Sequence, residues 1–476
     1  MGEVTRIFTT ESAESAETEA EGRGYGIFNT ENTEDTETEL EGKGFGSGCR
    51  ASSFSGLSAL YVVNIFCAAC AGNAGPASIA ARGGAVASPP AVVGVPSGPA
   101  AEVYATEGIA SVLADPFALR LAAEVDASRK QHGQVPVVRD GRLDRVAADI
   151  ALTTDAVQAS RPEAVAFLLA HYGLVEPDPN LFLLRGDDGA EESAVRNLRG
   201  QLAKSAASDW RQEGIGVRRA QGRWSAVLVF QEKNFELDPI PRRLASGGHV
   251  KIAGRIRPPF QSPEVLFTSP GGKVERLATS ATRDSFAARL ECNRCDGAYQ
   301  VEISAMDSRG PRVLANFPVF CGVAPPATYT SAEPAVDRSL DPVAMEAQLL
   351  AQLDRDRRAA GLPALVHDPR LAQIARRYSH EMAESGEVAH VSRRTGNVVD
   401  RARAAGISPS PTFIAENVGS ALSAGDAERG FMGSPGHRDN ILNRLGTHVG
   451  VGVAVGREAG GTVPLFFTQI FAGWGQ

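Results

Sequence analysis

The stretch FMGSPGHRDNIL, residues 431–442, is too rich in glycine and proline to be the interior of a helix, yet it sets His437 between a glycine and an arginine. A histidine can carry a proton, ligate a metal or pack at a surface, and its neighbours decide which. The surrounding block, 340–476, opens with helix signals. Asp341 and Pro342 are an N-cap and first-turn pair, Leu349, Leu350 and Leu353 make an apolar face, and Gly361 ends the helix. Asp368 and Pro369 start a second helix. Leu371, Ile374, Ala375, Tyr378 and Met382 recur at three and four residues, and Gly386 stops it. A third helix is predicted over 397–405. HVGVGVAVG and TVPLFFTQIFAGW close the chain as two strands around a glycine-containing turn. Helices followed by a hairpin predict an α+β domain.

The whole chain has 476 residues, which suggests several domains, and 43% hydrophobic residues, enough for real cores. Its net charge of -8 is concentrated at the start. Residues 1–49 hold 12 acidic and 3 basic residues, so the remainder sits near +1. No basic surface suggests nucleic acid. The acidic start is also a repeat: IFTTESAESAETEAEGRGYG (7–26) recurs as IFNTENTEDTETELEGKGFG (27–46), a composition that buries no core and predicts disorder.

In RASSFSGLSALYVVNIFCAACAGNAG (50–75), Arg50 precedes an apolar run from Leu57 to Cys70, which is short for a membrane span and has the layout of an export signal. CAAC resembles a lipoprotein cleavage box with Cys70 as the lipidated residue, although Cys67 stands where such boxes favour Leu. Of the six cysteines, Cys292, Cys295 and Cys321 cluster in mid-chain. They permit one disulfide, most simply Cys321 with Cys292 or Cys295; a zinc site is the weaker reading, because no second CxxC follows.

A Pro/Gly/Ala linker is expected over 76–110 and another over 323–339. Residues 246–322 carry short alternating strands separated by Gly/Pro turns, predicting a β-sandwich of immunoglobulin type. Before it, GQVPVVRDGRLDRVA (133–147) parallels GLPALVHDPRLAQIA (361–375), and Asp126 and Arg129 parallel Asp354 and Arg357. GIGVRR and SAVLVFQEKNF read as weaker copies of the final hairpin. The expected layout is an α+β domain at 111–245, the sandwich, and a second copy of that domain at 340–476.

VAHVS (388–392), AENVG (415–419), GSPGHRDNIL (433–442) and THVGVGV (447–453), in this order after the helical opening, give block 340–476 its resemblance to the CAP superfamily, the SCP-like extracellular domain in its bacterial form. Phe431 departs from the family's usual Trp, a change expected to affect packing. The resemblance implies an α-β-α sandwich with a cleft lined by His390, Glu416 and His437, and by His448 as a fourth candidate. Two imidazoles and a carboxylate suit Zn²⁺ or another divalent metal, leaving a position open for water or ligand. SPG would be the turn that presents His437 at a helix start. The upstream copy is expected to lack the cleft: His390 aligns with Pro162, and Arg185 falls near the place of Glu416.

The resemblance implies a secreted or envelope-attached protein that binds a metal, a small apolar ligand, a peptide or an envelope component without catalysis. Membrane attachment would run only through a lipid anchor at Cys70. The alternative is a metal-dependent peptidase or esterase with Glu416 as base. Against it, HEMAE (380–384) is not HExxH, and Ser434 has no nucleophile elbow around it. A third reading makes the domains structural spacers of the envelope.

Overall fold

The computed structural model describes residues 96–152, 162–177, 179–205, 208–282, 284–331, 340–457 and 463–474, together with three short strands at 6–8, 63–65 and 91–94. The acidic repeats, the body of the export-signal candidate and Cys70 lie outside the described residues.

The first unit contains α1 (Pro116–Gln131), β1 (Val138–Arg139), α2 (Gly141–Leu152), α3 (Pro162–His171), β2 (Asn180–Asp187), α4 (Glu191–Lys204), β3 (Gln212–Ala220) and β4 (Arg223–Gln231). Asp115 caps α1 by accepting from the Phe117 and Ala118 amides, and Pro116 supplies the preset φ of a first turn. The sheet runs β2-β4-β3-β1, antiparallel except for β1, with Val63–Ile65 added in parallel beside β2. Helix α2 lies directly on β3. A Cβ at Gly214 or Gly216 would come within 2.2 Å of α2 backbone, so only glycine permits this approach.

Two sheets share the next core. One runs β10 (Ser280–Ala281), β11 (Ser285–Glu291), β7 (His249–Ile256), β5 (Phe235–Leu237); the other runs β6 (Arg243–Leu244), β13 (Gly310–Cys321), β12 (Gly297–Asp307), β8 (Gln261–Thr268), β9 (Val274–Arg276). Ile252, Phe286, Val301 and Phe317 meet between them, which makes a β-sandwich. Its strands begin at Phe235, not at 246. The expected linker over 76–110 is corrected too. Val103–Tyr104 pairs with Ile240–Pro241, Tyr104 is fully buried in the sandwich core, and its hydroxyl donates to the Pro318 carbonyl at 2.6 Å. Cys292 and Cys321 form the disulfide, which ties the end of β11 to the end of β13 and so joins the sheets; Cys295 stands outside it.

The C-terminal unit contains α5 (Pro342–Ala359), β14 (Val366–His367), α6 (Pro369–Ser385), α7 (Val398–Ala404), β15 (Phe413–Ala421), α8 (Ala424–Gly433), α9 (Pro435–Ile441), β16 (His448–Val455) and β17 (Leu465–Gly473). Asp341 and Asp368 cap α5 and α6 as expected, and Gly386 ends α6 with φ 73°. The sheet runs β15-β17-β16-β14, with Arg6–Phe8 added in parallel beside β15. One face packs Leu349, Leu353, Ala427 and Phe431 from α5 and α8 against Val451 and Phe467; the other packs Leu371, Ile374 and Val398 from α6 and α7 against Ile414 and Ile470. The result is three layers, α-β-α. Gly450 and Gly452 let α6 sit on β16, since a Cβ at either would meet α6 backbone at 2.2 Å.

Candidate functional site

Glu416 lies on β15, fully buried beneath α6 and α7. Its Oε2 is 3.2 Å from His390 Nδ1 and its Oε1 is paired with the Arg401 guanidinium from α7. Arg401 is itself held: one amino group donates to the Gly396 carbonyl at 2.5 Å, and its plane lies 3.4 Å from the centroid of the Tyr378 ring. Tyr378 donates its hydroxyl proton to the Ala389 carbonyl at 2.5 Å, fixing the residue before His390. Burial works to raise the Glu416 pKa, but Arg401 and His390 outweigh it and hold the carboxyl below its ordinary value. Glu416 is therefore an ionised carboxylate with both oxygens engaged. It turns His390 by accepting its Nδ1–H, and in the neutral imidazole this leaves Nε2 as the ring's acceptor.

His437 comes from the other side of the sheet. Ser434 caps α9 by accepting from the His437 amide, and Pro435 opens the helix, so SPG is the turn that sets His437 in the first turn of α9. Asn417 Nδ2 donates to the His437 carbonyl at 3.1 Å, within a buried amide network in which Asn440 and Gln469 bond Asn417 and Gln469 donates to Glu428 at 2.6 Å. Phe431 packs 5.3 Å from the imidazole, consistent with a packing role at that position. Burial, and then the neighbouring His390, lower the His437 pKa to about 3, so the ring is neutral at physiological pH. Its Nδ1 is buried and has no hydrogen-bond partner.

The His390 and His437 rings stand 6.4 Å apart, centroid to centroid, and both line a cleft of about 720 Å³. The structure places these two and Glu416 beside one another. His448 is elsewhere: it begins β16, its Nδ1 shares a proton with Thr447 Oγ1 at 2.8 Å, and its ring meets Trp474 edge-on. It does not line the cleft. Among the described residues, no group of three or more His, Cys, Asp or Glu is arranged to hold a metal ion. The donor chemistry fits two imidazole ligands, with Glu416 behind His390 as an orienting partner and not as a third ligand.

Several residues of the site escaped sequence reading. Arg401 and Tyr378 left no signal, because one reads as the polar face and the other as the apolar face of a helix. Asn417 and Asn440 stood inside quoted motifs, and Gln469 was a polar residue in an apolar strand; those were usable signals. Glu302, which reaches this site from the sandwich, looked like a solvent-facing strand residue.

Residues 350–471 match the family described as CAP: Cysteine-rich secretory protein family. A curated relative, the "Uncharacterized protein YkwD" of Bacillus subtilis (strain 168), is 32% identical over 110 residues, which are 23% of this chain and 42% of that protein. The match thus spans about two fifths of the relative's length. Two solved structures are similar at 17% identity: an extracellular protein containing a SCP domain from Bacillus anthracis (TM-score 0.25, covering 47% of this chain and 78% of that one) and a cysteine-rich secretory protein from Staphylococcus aureus (TM-score 0.22, covering 51% and 83%). Helical opening, three-layer sheet, ordered motifs and family match coincide on the same residues, and residues 350–471 are a CAP domain.

Proposed function

We propose that this protein is exported and that its CAP domain is a binding module, taking a divalent metal ion, an apolar ligand or a peptide in the His390–His437 cleft without catalysing a reaction. The observation that carries this reading is the state of Glu416. A general base needs a carboxylate free to reach water or substrate, whereas Glu416 is committed to Arg401 and His390. His437, by contrast, has a buried ring nitrogen with no partner, an arrangement that costs on the order of 1–3 kcal/mol and that a ligand or metal would relieve. A metal would be held by His390 and His437, with its remaining positions left for water or ligand. Export is supported by the family's secretory description and by the Cys292–Cys321 disulfide, which suits an oxidising compartment. Among the described residues no helix is long and apolar enough to cross a membrane.

The test is calorimetric titration of Zn²⁺ into the full chain and into a His390→Ala/His437→Ala variant, beside peptidase and esterase assays. One ion bound by the wild type and none by the variant, with no turnover, is the expected result. Equal binding by both would remove the metal arm. A chelator-sensitive hydrolysis lost in Glu416→Gln would replace the binding reading with the hydrolase one.

We also propose that the first unit is a CAP-like copy without the cleft, and that the sandwich is of immunoglobulin type. The family match does not extend to the first unit. In favour of the copy are the equal strand orders, the glycine pairs under α2 and α6, and matched arginines with matched tasks. Arg129 donates to the Val135 and Trp210 carbonyls; Arg357 donates to those of Pro363 and Ile441. Superposing Gly214 and Gly216 on Gly450 and Gly452 aligns Leu181 with Glu416 and Phe182 with Asn417 through the strand registers. Arg185 then falls on Ser420, which corrects its expected place near Glu416. Apolar residues, not a misplaced cation, are what remove the site.

A further inference from the structure

We infer that the β-sandwich is a wall of the CAP-domain cleft and that Glu302 is a positioning residue for His437, so that the binding site is a composite of two domains. This rests on the cleft being the site proposed above.

Glu302 is in the middle of β12, where Val301 and Ile303 point into the sandwich core. Alternation therefore turns Glu302 outward, the direction of water in an isolated sandwich. Here it is completely buried, because the C-terminal unit covers it. Both oxygens accept from the SPGH turn: Oε2 from Ser434 Oγ at 2.5 Å, and Oε1 from the Gly436 amide at 3.1 Å. Ser434 Oγ in turn accepts from the His437 amide. By holding the cap hydroxyl's proton, Glu302 aims that oxygen's lone pair at His437.

The other histidine is gripped from the same side. The Arg309 carbonyl, in the turn between β12 and β13, accepts from the amides of both His390 and Val391, at 3.0 and 2.9 Å. Arg438 Nε donates to the Gly272 carbonyl at 3.1 Å, and Asn316 Nδ2 to that of Gly433 at 3.3 Å. The cleft wall accordingly mixes Ser304, Asp307 and Arg309 of the sandwich with His390, Ser420 and His437 of the CAP domain. A spacer domain has no use for a buried carboxyl with no cation beside it. Burial, with Glu264 adding to it, pushes the Glu302 pKa up to about 7, which measures the strain of keeping the group there.

The experiment uses the full chain with ¹⁵N-labelled histidine, as wild type, Glu302→Ala, Glu302→Gln and Ser434→Ala, and reads Zn²⁺ affinity, the His437 ring resonances and thermal melting. Glu302→Ala should weaken Zn²⁺ binding about 10-fold or more and move the His437 signals. Glu302→Gln should restore both only in part, since its amide oxygen can still accept the Ser434 hydroxyl proton while its NH2 cannot accept from Gly436 N–H. Wild-type affinity and unmoved His437 signals in Glu302→Ala would overturn the inference. If the wild type binds no Zn²⁺, the metal reading fails separately, and the ring signals alone decide this one. If Glu302→Ala does not fold, Ser434→Ala breaks the same link; displaced His437 signals there support the inference and unmoved ones refute it.

Discussion

At the residue scale, the site depends on a buried ion pair that serves orientation more than stability. Removing Arg401 leaves Glu416 charged with only His390 beside it, so Arg401→Met should cost about 3–5 kcal/mol, and adding Glu416→Gln should recover part of it. Urea unfolding at pH 7 of the three variants checks this; additive losses would mean the pair is not coupled. Two buried carboxyls also give stability opposite pH slopes. Glu416 has a folded pKa below its unfolded one, so its contribution is whole above the ordinary carboxylate range and is lost as pH falls through it. Glu428 is the reverse. Burial, with Asp356 adding, pushes its pKa up to about 8, so its contribution is whole at low pH and is lost as pH rises through 8. Glu428→Gln keeps an acceptor for Gln469 and cannot ionise. It should be more stable than wild type at pH 9 and equal to it at pH 5, as read from urea midpoints; a gap of the same size at both pH values would contradict the assignment.

At the element scale, the helix-on-strand contact is set by pairs of glycines. A Cβ at Gly452 would lie 2.2 Å from the Arg376 amide nitrogen, and one at Gly216 would lie 2.2 Å from that of Ala148. Since neither helix can yield without leaving its sheet, Gly452→Ala and Gly216→Ala should each cost about 1–3 kcal/mol or more. Thermal melts of both variants measure it, and a neutral result at Gly216 would separate the two units. The disulfide acts on another element pair. With a sequence separation of 29 between its ends, loss of Cys292–Cys321 should destabilise the sandwich by about 3–4 kcal/mol on the chain-entropy account. Melting with and without reductant tests that. Helix starts and stops were legible because they are local: Asp341-Pro342, Asp368-Pro369 and Gly386 act within one turn. The sandwich's true beginning was not, because Phe235–Leu237 is a strand only by virtue of its partners on β7.

At the scale of the whole molecule, the C-terminal unit is in contact with both of the others. Arg429 of α8 pairs with the buried Glu163 of α3, so the first unit also contacts the CAP domain directly. The block 340–476 taken alone would expose Ser434, Gly436 and the His390 amide, whose partners lie in the sandwich. It should therefore show a lower melting temperature than the CAP domain in the full chain and faster amide exchange over 388–392 and 433–438. Identical exchange in both settings would show that the contacts do not restrain the cleft.

The sequence by itself determined an α+β unit and its caps, because periodicity and capping chemistry are carried by residues near one another in the chain; the three layers and the grouping of His390, Glu416 and His437 came from the resemblance that its ordered motifs carry. Only the tertiary structure decided what each group does. It gave Glu416 to Arg401, left His448 beside Trp474, paired Cys321 with Cys292, and drove Glu302 into the turn that carries His437. The reason is physical: whether a carboxylate is a ligand, a base or a tether depends on which charges and donors surround it once water is removed. Glu302 and Ser434 are 132 residues apart, and that proximity exists only in the folded chain.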